Sequence, residues 1–186
     1  MKIKNFFKKY GYFIIAGALI VTIGTVVGVS ESKNKANIEV PTQTETVVEF
    51  GLPMINAEVL KSYSDTELMY NETLNQWESH KALDITSKES NDVFAVLDGK
   101  VTKVGESYEE GTFIEITHSD GLVSRSLNLS KDTLVKENDV VTKGTKIGTA
   151  STTSSNECKD CAHLHFEMLK NGKKVDPSKY ITLENK

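Results

Sequence analysis

Hydrophobic positions in this chain follow two patterns. Between Tyr10 and Val29 they form a block, "YGYFIIAGALIVTIGTVVGV", 20 residues without a charge. Beyond Phe50 they alternate with polar positions in short stretches broken by Gly, Asn and Asp. Twenty helical residues rise about 30 Å, the thickness of a bilayer's hydrocarbon core, so the block predicts a membrane-spanning helix. The alternating stretches predict strands, whose successive side chains point to opposite faces. Val93–Val104 reads as a hairpin around Asp98-Gly99, and Thr112–Thr117 with Leu122–Leu127 as another around Asp120-Gly121. Thr133–Ala150 reads as two short strands with turns at Glu137–Asp139 and Lys143-Gly144; Ala162–Val175 is a strand, a turn at Asn171-Gly172 and a second strand start. Beyond the apolar block and the linker, only Asp65–Trp77 is compatible with a helix. Short strands at intervals of about 8–12 residues predict a mainly β fold, a single antiparallel sheet or sandwich domain.

Charge gives the chain a direction. Lys2, Lys4, Lys8 and Lys9 precede the apolar block, and no acidic residue appears before Glu31. That asymmetry predicts a cytoplasmic tail (1–9), a span (10–29), a polar linker (30–49) and an exported domain (50–182). A cleaved signal peptide would have a shorter apolar core, about 7–15 residues, and "VGVSES" is a poor match to its cleavage site. Leaving out residues 1–29, with four lysines and no acids, moves the formal charge from −4 to −8. Such a surface argues against a nucleic-acid partner, which needs clustered Lys and Arg. Cys158 and Cys161 would lie outside the cytoplasm, where a disulfide is allowed.

Three of the four histidines fall in two short motifs. In "AHLHFEM", His163 and His165 share one strand face while Leu164 and Phe166 turn to the other. In "WESHKALDI", His80 and Asp84 stand four apart, on one face of a strand or a helix, with Leu83 and Ile85 as apolar support. Each motif has a plain alternative: two polar residues on a solvated face, and a His–Asp hydrogen bond in a loop. Together they supply what a zinc site of two histidines and one carboxylate requires, with a further position open for water. A thiolate from Cys161, if its strand is already extended there, could instead close the site.

These motifs resemble the two signatures of the lysostaphin-like (LytM-type) zinc endopeptidases, which cut peptide cross-links in bacterial cell walls. The resemblance spans residues 50–181 and includes "VFAVLDGKV", "IEITHSDG", "VVTKGTKIG" and "VDPSKYI" in the family's order. It implies a LytM-type domain with Zn2+ held by His80, Asp84 and His165. It makes His163 the candidate general base and His118 a hairpin histidine outside the ligand set. One feature of the active enzymes is missing. Their Tyr-x-His-Leu segment aligns with Ser126, Asn128 and Leu129, so Asn128 stands where they carry a further histidine. Asparagine cannot transfer a proton at neutral pH, and losing such a group costs about 10²–10⁴-fold in rate. Ala82 replaces a usual glycine of the first motif, and Ala162 precedes H-x-H.

Within the family the layout of anchor, linker and one domain resembles the stage II sporulation protein Q group of endospore-forming bacteria, including the lead-in "FGLPMINAEVLKSYSDTELMYNETLNQ". That resemblance implies a scaffold in the forespore membrane. Its domain would face the intermembrane space and pair with stage III sporulation protein AH in a channel-like complex. Two other roles stay open: an active endopeptidase cleaving peptidoglycan cross-links, and a wall-binding domain that holds peptide stems.

Overall fold

The computed structural model describes residues 48–157 and 162–183. The expected span over 10–29, nearly all of the linker, and both cysteines lie outside the described residues. Twelve strands follow one another: β1 Ala57–Lys61, β2 Leu68–Asn71, β3 Gln76–Ser79, β4 Leu83–Ser87, β5 Asp92–Phe94 and β6 Gly99–Ser107, then β7 Gly111–Thr117, β8 Leu122–Leu129, β9 Val140–Val141, β10 Lys146–Thr149, β11 Leu164–Lys170 and β12 Lys173–Val175. Helix among the described residues is confined to two short 3-10 turns, Ser119–Gly121 and Pro177–Lys179. The expected mainly β, antiparallel architecture is what the chain forms.

Eight strands build one sheet in the order β1-β4-β11-β8-β7-β6-β9, with β12 beside β11. β5 and β10 form a separate ribbon, and β2 and β3 another. The β5–β10 ribbon lies on the sheet: a Cβ added at Gly148 of β10 would sit 3.5 Å from Leu129 and 3.9 Å from Ile114.

Strand alternation divides the sheet into two chemically distinct faces. The registers Phe166↔Leu83, Leu164↔Ile85, Phe166↔Ser126, Ile114↔Ser126 and Ile116↔Ser124 collect one set of side chains on the core side. All of these residues are buried. The registers His165↔Asp84, His165↔Leu127, Glu167↔Arg125 and Glu115↔Arg125 collect the other set on the opposite side. A slip of one residue would exchange the two sets. The apolar content of the first face therefore fixes the position of the polar residues on the second.

Two expectations from the sequence are corrected. Asp65–Trp77 is not helical; it contains the β2–β3 hairpin, with Tyr70 opposite Trp77. Asn71 makes the turn, its Oδ1 accepting from the backbone N–H groups of Thr73 at 2.9 Å and Leu74 at 3.0 Å, and Asn75 takes φ 55°. Such local side-chain bonds compete with helix. Nor does Asp98-Gly99 close a hairpin: β5 pairs with β10, whereas β6 pairs with β7 and β9. The dipeptide is used for tertiary contact instead. Asp98 Oδ1 accepts from Lys143 N at 2.7 Å, and a Cβ at Gly99 would come within 2.7 Å of His118 Nδ1. The Asp120-Gly121 turn is as expected, with both residues at positive φ between β7 and β8.

His118 is a structural residue. Its Nδ1 donates to the Asp98 carbonyl at 2.9 Å, which leaves Nε2 to accept from Ser124 Oγ at 2.8 Å. Burial lowers its pKa below the usual 6.5, against the opposing pull of the Asp98 carbonyl and carboxylate. The folded state thus holds the neutral ring, and the unfolded chain takes up the proton first as pH falls. The stability His118 contributes is complete above the unfolded pKa and declines below it. Replacing it by glutamine (His118→Gln) should cost about 1–3 kcal/mol near pH 8. Urea unfolding should show that cost shrinking towards pH 5; a cost that grows on acidification would contradict this account.

Candidate metal centre

The site forms where β4 and β11 run side by side. Asp84 and His165 are direct cross-strand partners, and His165 Nδ1 lies 2.8 Å from Asp84 Oδ1. His80 precedes β4 and brings Nε2 to 3.1 Å from Asp84 Oδ2. The residues the sequence singled out, His80, Asp84 and His165, therefore converge. A fourth donor joins them. Glu157, from the segment before β11, places Oε1 3.2 Å from His165 Nδ1 and 4.0 Å from His80 Nε2. Donor atoms of these four residues all lie within 4.8 Å of one another. His163 stands beside the cluster, fully buried, with Nε2 3.1 Å from Glu157 Oε2. No periodicity marked Glu157. A carboxylate eight residues before His165, in an aperiodic segment, is the only clue the sequence offers.

The protonation pattern suits a cation. His80 Nδ1 faces the Ser62 carbonyl at 3.0 Å, so that nitrogen carries the hydrogen and Nε2 presents a lone pair. Nε2 and both oxygens of Asp84 are buried and have no hydrogen-bond partner of good geometry among the described residues. The short separations between them thus bring acceptor against acceptor. Buried acceptors face each other at such distances only when a proton or a metal ion lies between them. Lys61 Nζ approaches Asp84 Oδ2 only to 3.8 Å. The residues present fit a divalent metal such as zinc, which takes imidazole nitrogen and carboxylate oxygen.

Charges around the site are balanced locally. Burial works against ionisation of Asp84, yet the contact with His165 holds its carboxyl below the usual carboxylate range. Burial likewise opposes ionisation of Glu157, and hydrogen bonds from His163 and His165 overcome it. For His165, burial disfavours the imidazolium, but Asp84, Glu157 and Glu167 raise its pKa well above the ordinary value. Glu167, against its own burial, is drawn down to about 2 by His165 and Lys174. Behind His165 runs a charged ladder. Glu167 Oε1 lies 3.5 Å from His165 Nε2, and its Oε2 accepts from Arg125 at 2.7 Å. Arg125 also binds Glu110 at 3.0 Å and stacks over Phe113 with 5.4 Å to the ring centre. Partners of this kind fix the ring orientation of a metal-binding histidine.

Asn128 faces away from this chemistry. It is buried in β8 with φ 62°; Nδ2 donates to the His163 carbonyl at 3.2 Å, and Oδ1 accepts from Ser154 N at 2.9 Å. Both ends of its amide hold backbone. Ala82 is fully buried and keeps negative φ, so its methyl group is accommodated. A groove of about 380 Å³ opens over the cluster, lined by His80, Leu127, Ser154, Glu157, His165 and Glu167 among others.

Several known proteins are similar to this chain. Stage II sporulation protein Q of Bacillus subtilis (strain 168) is 28% identical over 168 residues, covering 80% of this chain and 55% of that protein. Murein hydrolase activator NlpD of Escherichia coli (strain K12) is 33% identical over 104 residues, covering 55% of this chain. This chain spans only 26% of the length of that protein. The solved complex of SpoIIIAH and SpoIIQ contains a chain that superposes with a TM-score of 0.60 at 25% identity, covering 72% of this chain and 100% of that one. The catalytic domain of lysostaphin from Staphylococcus simulans superposes with a TM-score of 0.55 at 26% identity, covering 67% of this chain and 92% of that one. The model of peptidase family M23 matches residues 78–177, more than half of the 186; the chain belongs to that family.

Proposed function

We propose that this protein is a membrane-anchored, zinc-binding M23 domain that acts as a scaffold in sporulation and has little or no peptidase activity. Held in the forespore membrane by residues 10–29, its domain would stand in the intermembrane space and pair with a SpoIIIAH-like protein of the mother cell. Similarity to stage II sporulation protein Q and to the chain of the SpoIIIAH–SpoIIQ complex supports this partner. Zinc would be held by His80, Asp84 and His165. When bound in an open site of this family, it would supply a polarising Lewis acid for peptide hydrolysis.

The observation that carries the scaffold reading is Asn128. Where the resemblance places a proton-transferring histidine, this chain has a buried amide committed to the backbone of His163 and Ser154. All four histidines are accounted for, and His118 is held by Asp98 and Ser124. His163 could still act as a base, but its Nε2 donates to Glu157. Zinc then serves stability: binding only to the folded state adds about 2.7 kcal/mol at a hundredfold excess over Kd.

Three measurements test this reading. Metal analysis should find one zinc per chain, and His80→Ala should lower both the metal content and the melting temperature; an unchanged stoichiometry would refute the ligand assignment. The detergent-solubilised protein should capture the SpoIIIAH-like ectodomain while releasing no peptidoglycan fragments. A turnover that His163→Ala abolishes would make the protein an endopeptidase instead. Asn128→Ala should lower stability in urea by about 1–3 kcal/mol, because two buried groups lose partners; a neutral effect would remove the structural role given to that amide.

A further inference from the structure

We infer that Glu157 is a fourth metal ligand that closes the centre, so that the metal is held entirely by protein. The inference rests on the zinc reading above and goes beyond its three ligands. Hydrolytic zinc sites keep three protein ligands and an open position for water, whereas structural sites are four-coordinate and closed. A tetrahedral ion bound at about 2.0–2.2 Å sets its donors roughly 3.3–3.6 Å apart. Around this site the separations are 2.8 Å (His165–Asp84), 3.1 Å (His80–Asp84), 3.2 Å (His165–Glu157) and 4.0 Å (His80–Glu157). They fall on both sides of the tetrahedral value, with Asp84 measured at Oδ1 towards His165 and at Oδ2 towards His80, and one donor from each of the four residues lies within 4.8 Å of the others; Glu157 is the fourth donor of that set.

Charge favours the same arrangement. With neutral histidines, Asp84 alone would leave a dication with one excess positive charge, which stabilises a bound hydroxide. Asp84 and Glu157 together neutralise it. The second oxygen of Glu157 has a separate effect. It accepts from His163 Nε2 at 3.1 Å, so that ring nitrogen is already a donor.

The segment that delivers Glu157 is anchored along its length. Ser151 N donates to the Asn128 carbonyl at 2.8 Å, and Thr153 Oγ1 to the Leu129 carbonyl at 2.7 Å. Ser154 Oγ donates to the Glu109 carbonyl at 2.6 Å, and Ser155 N to the Tyr108 carbonyl at 3.1 Å. Asn71 Nδ2, from the β2–β3 hairpin, donates to the Asn156 carbonyl at 3.1 Å. Gly111, at φ 68°, permits the approach, since a Cβ there would lie 2.3 Å from Thr153 Oγ1. Five anchors within six residues place the carboxylate of Glu157 by construction.

Cobalt(II) in place of zinc reports both geometry and access. We expect the full-length, detergent-solubilised protein to give an intense four-coordinate visible spectrum that sodium azide leaves unchanged. Glu157→Ala should still bind cobalt, with affinity lower by about tenfold or more, and azide should now shift its spectrum. Glu157→Gln, which keeps the side-chain volume, provides the same comparison if the alanine variant fails to fold. A wild-type spectrum that azide shifts as readily as the variant's would overturn the inference while leaving the zinc reading intact. If the wild-type protein binds no cobalt, both readings fall.

Discussion

The pairing of Asp84 with His165 across β4 and β11 is the contact on which this molecule's chemistry depends. It is a product of register rather than of local sequence. Leu83, Ile85, Leu164 and Phe166 are buried on the core side, and alternation then leaves Asp84 and His165 facing each other on the opposite side. The candidate metal site is therefore stabilised by hydrophobic burial of residues that never touch it. In return, a cluster rich in buried acceptors is held together at a cost that a bound cation would offset. Folding and ligand binding are coupled in this sense: the sheet brings the donors together, and an ion bound there favours the sheet.

Much of this could be read from residue order alone. Strands, the Asp120-Gly121 turn and the spacing of the two histidine motifs all rest on local periodicity, and these features are present in the structure. Asp98-Gly99 misled because the same dipeptide that favours a tight turn also suits close packing, here beneath the His118 ring. The Asp65–Trp77 helix failed because Asn71 makes its own turn, a preference that hydrophobic spacing does not register. Glu157 was invisible for a deeper reason. Its position is determined by hydrogen bonds to Asn128, Leu129, Glu109, Tyr108 and Asn71, each distant in sequence, and no pattern within its own segment encodes that.

Asn128 has a clear structural role at the position where the family resemblance expects a reactive group. At a left-handed backbone position, asparagine is among the residues that fit best. Its amide reaches both the His163 strand and the Ser154 segment, so one side chain connects the H-x-H motif to the loop that carries Glu157. If the domain acts as the proposed scaffold, it needs constancy of shape more than an open coordination position, and this linkage would supply it. The ladder of Glu115, Arg125, Glu167 and Lys174 behind the site acts in the same direction, holding His165 from the far side.

Gly111 carries a consequence beyond its own turn. It lies on β7 and belongs to no ligand set, yet the gap left by its missing side chain admits Thr153 and, through it, the approach that ends at Glu157. On the reading that Glu157 binds the ion, the coordination number would be governed by an atom that is not there. A side chain at Gly111 of this chain would force the Thr153 segment, and with it Glu157, to take another path.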